Sequence, residues 1–431
     1  MPSRSQFGWM TVLIAAAVML FFYIGTAPII PFAWSPGIDP ANDGPYVPND
    51  DLTAGYQQIG VRPGSDGRVD ECAEGPKGPE DIALGPDGFL YTGLQGPAEE
   101  GDDDYLRDGM VVRVRPGGGE IQTIAKTGGR PLGVEFDGFG NLYVCDAVTG
   151  LWRINPDGTA KRLNIEIDGE IVNYTDNLHI DSLGQVWFSS PSTRWGIKDI
   201  RTDSMETRPT GRLIRYDPKS GDVEVMMDKL MFANGVAMPR DESYVLVAEW
   251  YRYRISRLWL KGKNKGKRDV FYDNLPGYPD NLFFDGRGTF WVGLVIPRNA
   301  KVDALHPHPF LMKALYRLPR ALQGEAPFYG WLIGLDKDGR LVHNLQDSTY
   351  RIAKGSDEAC AQRNARVGRV TGAKRFGGRL YITSDYVQKL VTIPWPPPPP
   401  QFLDRAWPFP PRPKPACGPV YEHCRPERFA G

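Results

Sequence analysis

The sequence predicts an all-β fold, a six-bladed β-propeller, and three observations carry that prediction. Six segments repeat one form: a strand, a turn rich in Asp and Gly, then a second strand with an aromatic or aliphatic pair. They are EDIALGPDGFLYTG (80–93), LGVEFDGFGNLYVC (132–145), DNLHIDSLGQVWFS (176–189), NGVAMPRDESYVLV (234–247), DNLFFDGRGTFWVG (280–293) and VTGAKRFGGRLYIT (370–383). Each is followed by a third strand, such as MVVRVRP, LWRINPDG or KLVTIP. The 49 Gly and 39 Pro favour many turns and short strands over long helices. Repeats of this size built from antiparallel strands are propeller blades, which bury both faces against their neighbours.

The second strands centre on Tyr91, Tyr143, Trp187, Val245, Trp291 and Tyr381, at separations of 52, 44, 58, 46 and 90 residues. The last gap implies an insertion, about 296–330, whose stretch from Phe310 to Leu322 reads as a helix apolar on one side. Such a helix could form a lid beside the channel. The propeller is expected over 70–394.

Composition narrows the function. In 431 residues, 51 Lys+Arg against 52 Asp+Glu leave a net charge of −1. That balance excludes a generally basic nucleic-acid binder. A hydrophobic share of 41% excludes a disordered chain. Five cysteines exclude a disulfide scaffold but leave room for one or two staples.

Residues 7–32 carry no charged side chain, and MTVLIAAAVMLFFYI (10–24) is the densest part. With Arg4 before it, the stretch predicts a transmembrane signal-anchor over 1–33, the N-terminus in the cytoplasm and the rest across the membrane. A cleaved signal peptide is the competing reading. Residues 34–69 read as a linker. From 395 to 431 the proline-rich run PWPPPPPQFLDRAWPFPPRPKP predicts polyproline II that packs on the propeller or binds a protein partner.

Counting back 11 residues from each second-strand centre gives one structural column: Glu80, Leu132, Asp176, Asn234, Asp280, Val370. First strands line a propeller's channel, so these positions share one height around the axis. Three carboxylates there are costly to bury unless a cation neutralises them. Oxygen donors without Cys or His suit a hard ion, and calcium (Ca2+) is the first candidate. The metal set is Glu80, Asp176, Asn234 and Asp280, with Asn281 helping. The next column is Asp81, Gly133, Asn177, Gly235, Asn281, Thr371. Two readings stay open for Asp81 and Asn177: a deeper ion, or hydrogen bonds to the ends of adjacent blades.

At these residues the chain resembles a known family. GPEDIALGPDG, GRPLGVEFDGFGNLYVCDAVTGL, FANGVAMPRDESYVLVAEWYRYRISRLWLKG and NLPGYPDNLFFDGRGTFWVGL, in that order, look like the strictosidine synthase-like family with its adipocyte plasma membrane-associated proteins. That family is related to paraoxonases and to SMP-30/gluconolactonases. The resemblance covers residues 70–394 and implies calcium at the channel floor, with esterase or lactonase activity in the paraoxonase branch. It maps the metal-site residues onto Glu80, Asp176, Asn234, Asp280 and Asn281. Where paraoxonases carry Asn-Asp, this chain has Asp176-Asn177. The paraoxonase histidine of the second blade is absent from RPLGVEF. The plant synthase's pocket glutamate is not placed by motif.

The expected chemistry is hydrolysis of a small-molecule ester or lactone. A calcium ion polarises the carbonyl, and Asp280 or Asp176 orients or deprotonates water. Two alternatives are a non-catalytic binding scaffold with structural calcium and a synthase-like condensing enzyme. No G-x-S-x-G elbow and no zinc-type cluster is present. His179 reads as a packed channel histidine, and His306 and His308 as solvated residues of the insertion. Cys145 reads as a buried free thiol. Cys72 with Cys360 could staple the ring, and Cys417 with Cys424 could close a local loop.

Overall fold

The computed structural model describes residues 4–41, 44–61, 78–96, 107–323, 326–347, 367–387 and 389–395. Six four-stranded antiparallel sheets form six blades. The first holds Ile82–Leu84, Leu90–Leu94, Met110–Val114 and Gln122–Lys126. The inner strands of the next four are Pro131–Phe136, Leu178–Ile180, Ala233–Ala237 and Gly277–Phe284. The sixth joins Val370–Phe376, Arg379–Ser384 and Lys389–Pro394 to Gln57–Gly60 from the other end of the chain.

That last pairing closes the ring. Ile59 sits opposite Leu390, and both are buried with Leu90 and Val112 of the first blade. Within the span read as a linker, 34–69, residues 57–60 are therefore a blade strand. The residues that would form the Cys72–Cys360 and Cys417–Cys424 pairs lie outside the described residues, as does the proline-rich tail beyond 395. Cys145 is buried and free, and burial pushes its thiol up.

The repeats owe their form to alternation and to the turn residues. Second strands such as Tyr244–Glu249 are buried along their whole length because both faces meet another blade. Their turns are tied by Asp side chains: the Asp137 carboxylate accepts from the amides of Phe139 and Asn141, and Asp181 accepts from Leu183 and Gln185.

Among the described residues there are four α-helices, one ahead of the first strand and three between strands. Helix α1 is Arg4–Gly25, and α2, Ile200–Glu206, lies in an excursion of the third blade. The insertion of the fifth blade carries α3, Ala300–Asp303, and α4, Pro309–Arg317, the latter covering the first part of the stretch Phe310 to Leu322 expected to be helical. Among the described residues no helix is long and apolar enough to cross a membrane. No described helix therefore shows the transmembrane span predicted at the N-terminus.

The seams between blades are tight where glycine occupies the second column. A Cβ on Gly235 would lie 2.4 Å from the Asp280 carbonyl oxygen and 2.4 Å from the Leu282 nitrogen, both backbone atoms of the next blade. A Cβ on Gly133 would lie 2.8 Å from the Asn177 Cα. Gly235→Ala is therefore expected to destabilise the protein by at least about 2 kcal/mol, read as a lower urea midpoint. Gly184→Ala would be a poor control because its φ is +82°. Gly196, where nothing lies within 4 Å, should tolerate alanine.

Candidate functional site

Regular pairing of the inner strands breaks at the donor column. In the first and third blades the ladder starts only at Ile82 and Leu178, two residues past Glu80 and Asp176. In the second, fourth and fifth blades it skips from Pro131 to Val134, from Ala233 to Val236 and from Pro279 to Leu282. Such bulges re-aim the residues they contain. Here they free Leu132, Asn234 and Asp280 from the ladder.

Glu80, Asp176, Asn234, Asp280 and Asn281 are all buried. Each presents one oxygen with no hydrogen-bond partner among the described residues: Glu80 Oε2, Asp176 Oδ1, Asn234 Oδ1, Asp280 Oδ1 and Asn281 Oδ1. Buried polar atoms are rarely left so. The carboxyls also sense one another. Burial pushes Glu80 well above the ordinary carboxylate range, and Asp176 and Asp280 push it further. Burial raises Asp176 to about 7, against the pull of Arg130. Burial likewise raises Asp280, with Asp176 and Asp385 adding to it. Glu80, Asp176 and Asp280 thus form one electrostatic unit, and Asn281 touches it through its hydrogen bond to the Glu80 carbonyl. Among the described residues no group of three or more His, Cys, Asp or Glu side chains is placed to hold a metal ion by itself. Five unpartnered oxygens with no nitrogen or sulfur donor fit a hard divalent cation.

The second column stitches blades together. Asp81 accepts from the Val134 amide at 3.1 Å, just past Gly133 of the next blade. Asn177 repeats the contact one pair of blades on, accepting from the Val236 amide at 2.9 Å, just past Gly235. The Asn281 amide and the Thr371 hydroxyl both donate to the Glu80 carbonyl, at 2.9 and 2.6 Å, across the closing seam. The deeper position is filled by the chain itself. The Lys374 ammonium donates to Asp81 Oδ2 at 2.8 Å and to the Val134 carbonyl at 3.1 Å. Of the two readings for Asp81 and Asn177, the hydrogen-bonding one is what the structure shows.

Beneath this layer His179 Nδ1 lies 3.4 Å from Glu135 Oε1. Burial alone would lower this imidazole, but Glu135 outweighs it and the net shift is upward. His179 is thus a partnered channel histidine, as expected. His306 departs from expectation. It is buried, not solvated, and burial with nearby Arg298 lowers it to about 4.

Sequence reasoning missed the layer above the ring. Two residues before each donor position the same register reads Gly78, Arg130, Tyr174, Phe232, Tyr278, Gly368. The Tyr174 hydroxyl is buried and unpartnered, within electrostatic reach of Asp176, Arg130 and Glu80. Ring contacts run from Tyr174 to Phe232 (6.1 Å), Trp250 (5.0 Å) and Tyr278 (4.9 Å), then to Tyr253 (4.9 Å). Phe232 and Arg369 take left-handed backbones, φ +62° and +48°, immediately before their inner strands. Arg369 holds Asp385 through two hydrogen bonds and outweighs the effect of burial on that carboxyl, so Asp385 lies low.

A strap crosses this mouth. The Ile30 amide donates to Glu206 Oε1 at 2.7 Å and the Phe32 amide to the Glu206 carbonyl at 2.8 Å. The Trp34 amide donates to the His306 carbonyl, and the two rings lie 5.0 Å apart. Arg298 and Asn274 grip the carbonyls of Gly37 and Ile38.

A six-bladed propeller with acidic and amide oxygens gathered on its axis is the class of protein this architecture defines. Comparison with known proteins places it more narrowly. A family profile described as strictosidine synthase matches residues 176–263, and one described as strictosidine synthase-like, N-terminal, matches 71–96. The adipocyte plasma membrane-associated protein of Salmo salar is 31% identical over 79% of this chain and 82% of the relative. That of Danio rerio is 32% identical over 71% and 73%. The strictosidine synthase-like 10 protein of Arabidopsis thaliana is 33% identical over 63% and 77%. The chain belongs to the strictosidine synthase-like family, with the adipocyte plasma membrane-associated proteins among its relatives. Among solved structures, a Xanthomonas campestris gluconolactonase shares the fold at TM-score 0.50 and 16% identity, covering 79% of this chain and 95% of that one.

The raised carboxyls set a pH dependence. A group whose folded pKa exceeds its unfolded one stabilises the fold below the unfolded pKa, and that contribution fades as pH climbs through the folded value. For Asp176 the window runs from the ordinary 3.8 to about 7. In the presence of chelator, the melting temperature is expected to fall between pH 5 and pH 7.5. Asp176→Asn should flatten that slope, leaving the share due to Glu80 and Asp280. A slope equal to wild type would remove the assignment.

Proposed function

We propose that this protein is a membrane-associated, calcium-dependent hydrolase of esters or lactones. One observation carries the reading: five buried oxygens without partners, on four residues of the donor column and on Asn281 beside it. Glu80, Asp176, Asn234, Asp280 and Asn281 would hold the ion. Calcium bound there would supply the positive charge that polarises a carbonyl and balances a developing oxyanion.

The chain's own groups supply the rest. Asp176 would accept the proton of the attacking water. Asp280 shares the water's orientation. The Tyr174 hydroxyl stays neutral because burial and neighbouring carboxylates raise it, so it is a donor over the same ring. Phe232, Trp250 and Tyr278 wall the space and exclude water.

Membrane association draws on the relatives' names and on the apolar N-terminal sequence, with α1 as a single-pass anchor, its N-terminus in the cytoplasm. The proline-rich tail is left as a site for a protein partner.

One observation favours a second reading. The strap lies across the mouth, as it would in a binding scaffold whose calcium is structural. Metal content and hydrolysis separate the two. The full chain is expected to hold about one calcium per chain and to hydrolyse aryl esters or lactones in a manner lost on chelation and restored by calcium. Glu80→Gln and Asp280→Asn should lose the ion and at least about 100-fold in kcat. Variants that lose the ion yet hydrolyse at the wild-type rate would sink the mechanism. Bound calcium without hydrolysis selects the scaffold. Absence of bound metal would return the synthase-like condensing enzyme to the front.

A further inference from the structure

Helix α4 is amphipathic, and its apolar face is split between two tasks. Met312 points into the protein and is buried. Phe310 and Leu311 point outward at 39% and 44% exposure, and Leu318 and Leu322 beyond the helix are 43% and 68% exposed. Four apolar side chains in one short insertion therefore meet solvent, a cost soluble surfaces avoid when the residues are contiguous.

The same insertion holds the end of α1. Phe21 stacks on Phe310 with ring centroids 5.0 Å apart. The Lys313 ammonium donates to the Gly25 carbonyl at 2.9 Å, and the Arg317 guanidinium donates to the Tyr23 carbonyl at 3.1 Å. Arg317 also sits 4.4 Å from the centre of the Tyr23 ring. Two cations thus satisfy carbonyls at the C-terminus of α1, where a helix favours positive charge. They fix the direction in which α1 leaves the propeller. The outward residues of α1, Leu20 to Tyr23, are more than half exposed and continue the apolar surface of α4. From 309 to 323 the chain carries Lys313, Arg317 and Arg320 and no acidic residue.

We infer that α4 and the turn at 318–322 rest in the boundary between headgroups and acyl chains of the bilayer that receives α1. The occupant of this surface is lipid. Its acyl chains cover Phe310, Leu311, Leu318 and Leu322, and its anionic headgroups meet the three cations. Because the insertion follows the end of a second strand, it lies at the same end of the propeller as the donor ring. The mouth of the channel therefore faces the membrane. This inference rests on the membrane association proposed above.

The test uses the full chain in nanodiscs that contain anionic lipid and a lipid with a photoactivatable diazirine in its acyl chain. After illumination, peptides are mapped by mass spectrometry. Adducts are expected on 309–322 as well as on α1. The turns at Phe139 and Leu183 are 78% and 67% exposed and serve as apolar controls expected to stay unlabelled. Leu311→Asp with Leu322→Asp should bring labelling of 309–322 down to the level of those turns while labelling of α1 persists. Adducts confined to α1 would overturn this inference and leave the membrane reading standing. Equal labelling of the control turns would overturn it too. Absence of adducts on α1 itself would overturn both.

Discussion

Three carboxyl groups held out of water on one axis are the constraint around which the rest of the molecule is arranged. Glu80, Asp176 and Asp280 cannot all carry charge in a buried site without a counter-cation: burial lifts all three, and repulsion from Asp176 adds to it at Glu80 and Asp280. The chain answers with two kinds of positive charge at different depths. Lys374 is covalently built in and neutralises Asp81. Arg130 and Arg369 act from the rim, the latter mostly spent on Asp385. Neither hydrogen-bonds the five unpartnered oxygens, which are the atoms the proposed ion would take. The layer below the ring braces the blades.

The bracing follows a simple rule. A polar residue in one blade spans to the amide just past a glycine in the next, as Asp81 does to Val134 and Asn177 to Val236. The glycine is required because backbone approaches backbone there within distances no side chain would allow. The closing seam uses different residues for the same purpose, with Asn281 and Thr371 both directed at the Glu80 carbonyl. A donor of the ring is thus held from behind by its neighbours before any ligand arrives.

The blades and the ring were legible in the sequence because both depend on period and register. The strand–turn–strand repeat survives variation of individual residues, and a fixed offset from Tyr91, Trp187, Val245 and Trp291 was enough to align Glu80, Asp176, Asn234 and Asp280. The same offset extended by two would have found Arg130, Tyr174 and Tyr278. Chemistry gave no reason to look there, since aromatic residues beside a strand usually mean core. The burial of His306 and the strap were out of reach for another reason. They depend on contacts between segments hundreds of residues apart, such as Ile30 with Glu206 and Trp34 with His306. The linker reading failed at Gln57–Gly60 because a four-residue edge strand has no periodicity of its own; its partner Lys389–Pro394 defines it.

That closing strand has a mechanical meaning. The segment that completes the sixth blade is joined to the part of the chain that leads back toward α1, so a pull on the helix is aimed at the strand that closes the ring. Between them lie the bonds of Ile30 and Phe32 to Glu206, of Gly37 to Arg298 and of Ile38 to Asn274. Load arriving from the N-terminal side is shared among those anchorages before it reaches Gln57. The strap is a strain relief: a pull from the N-terminal side loads it before it can unzip the closing strand.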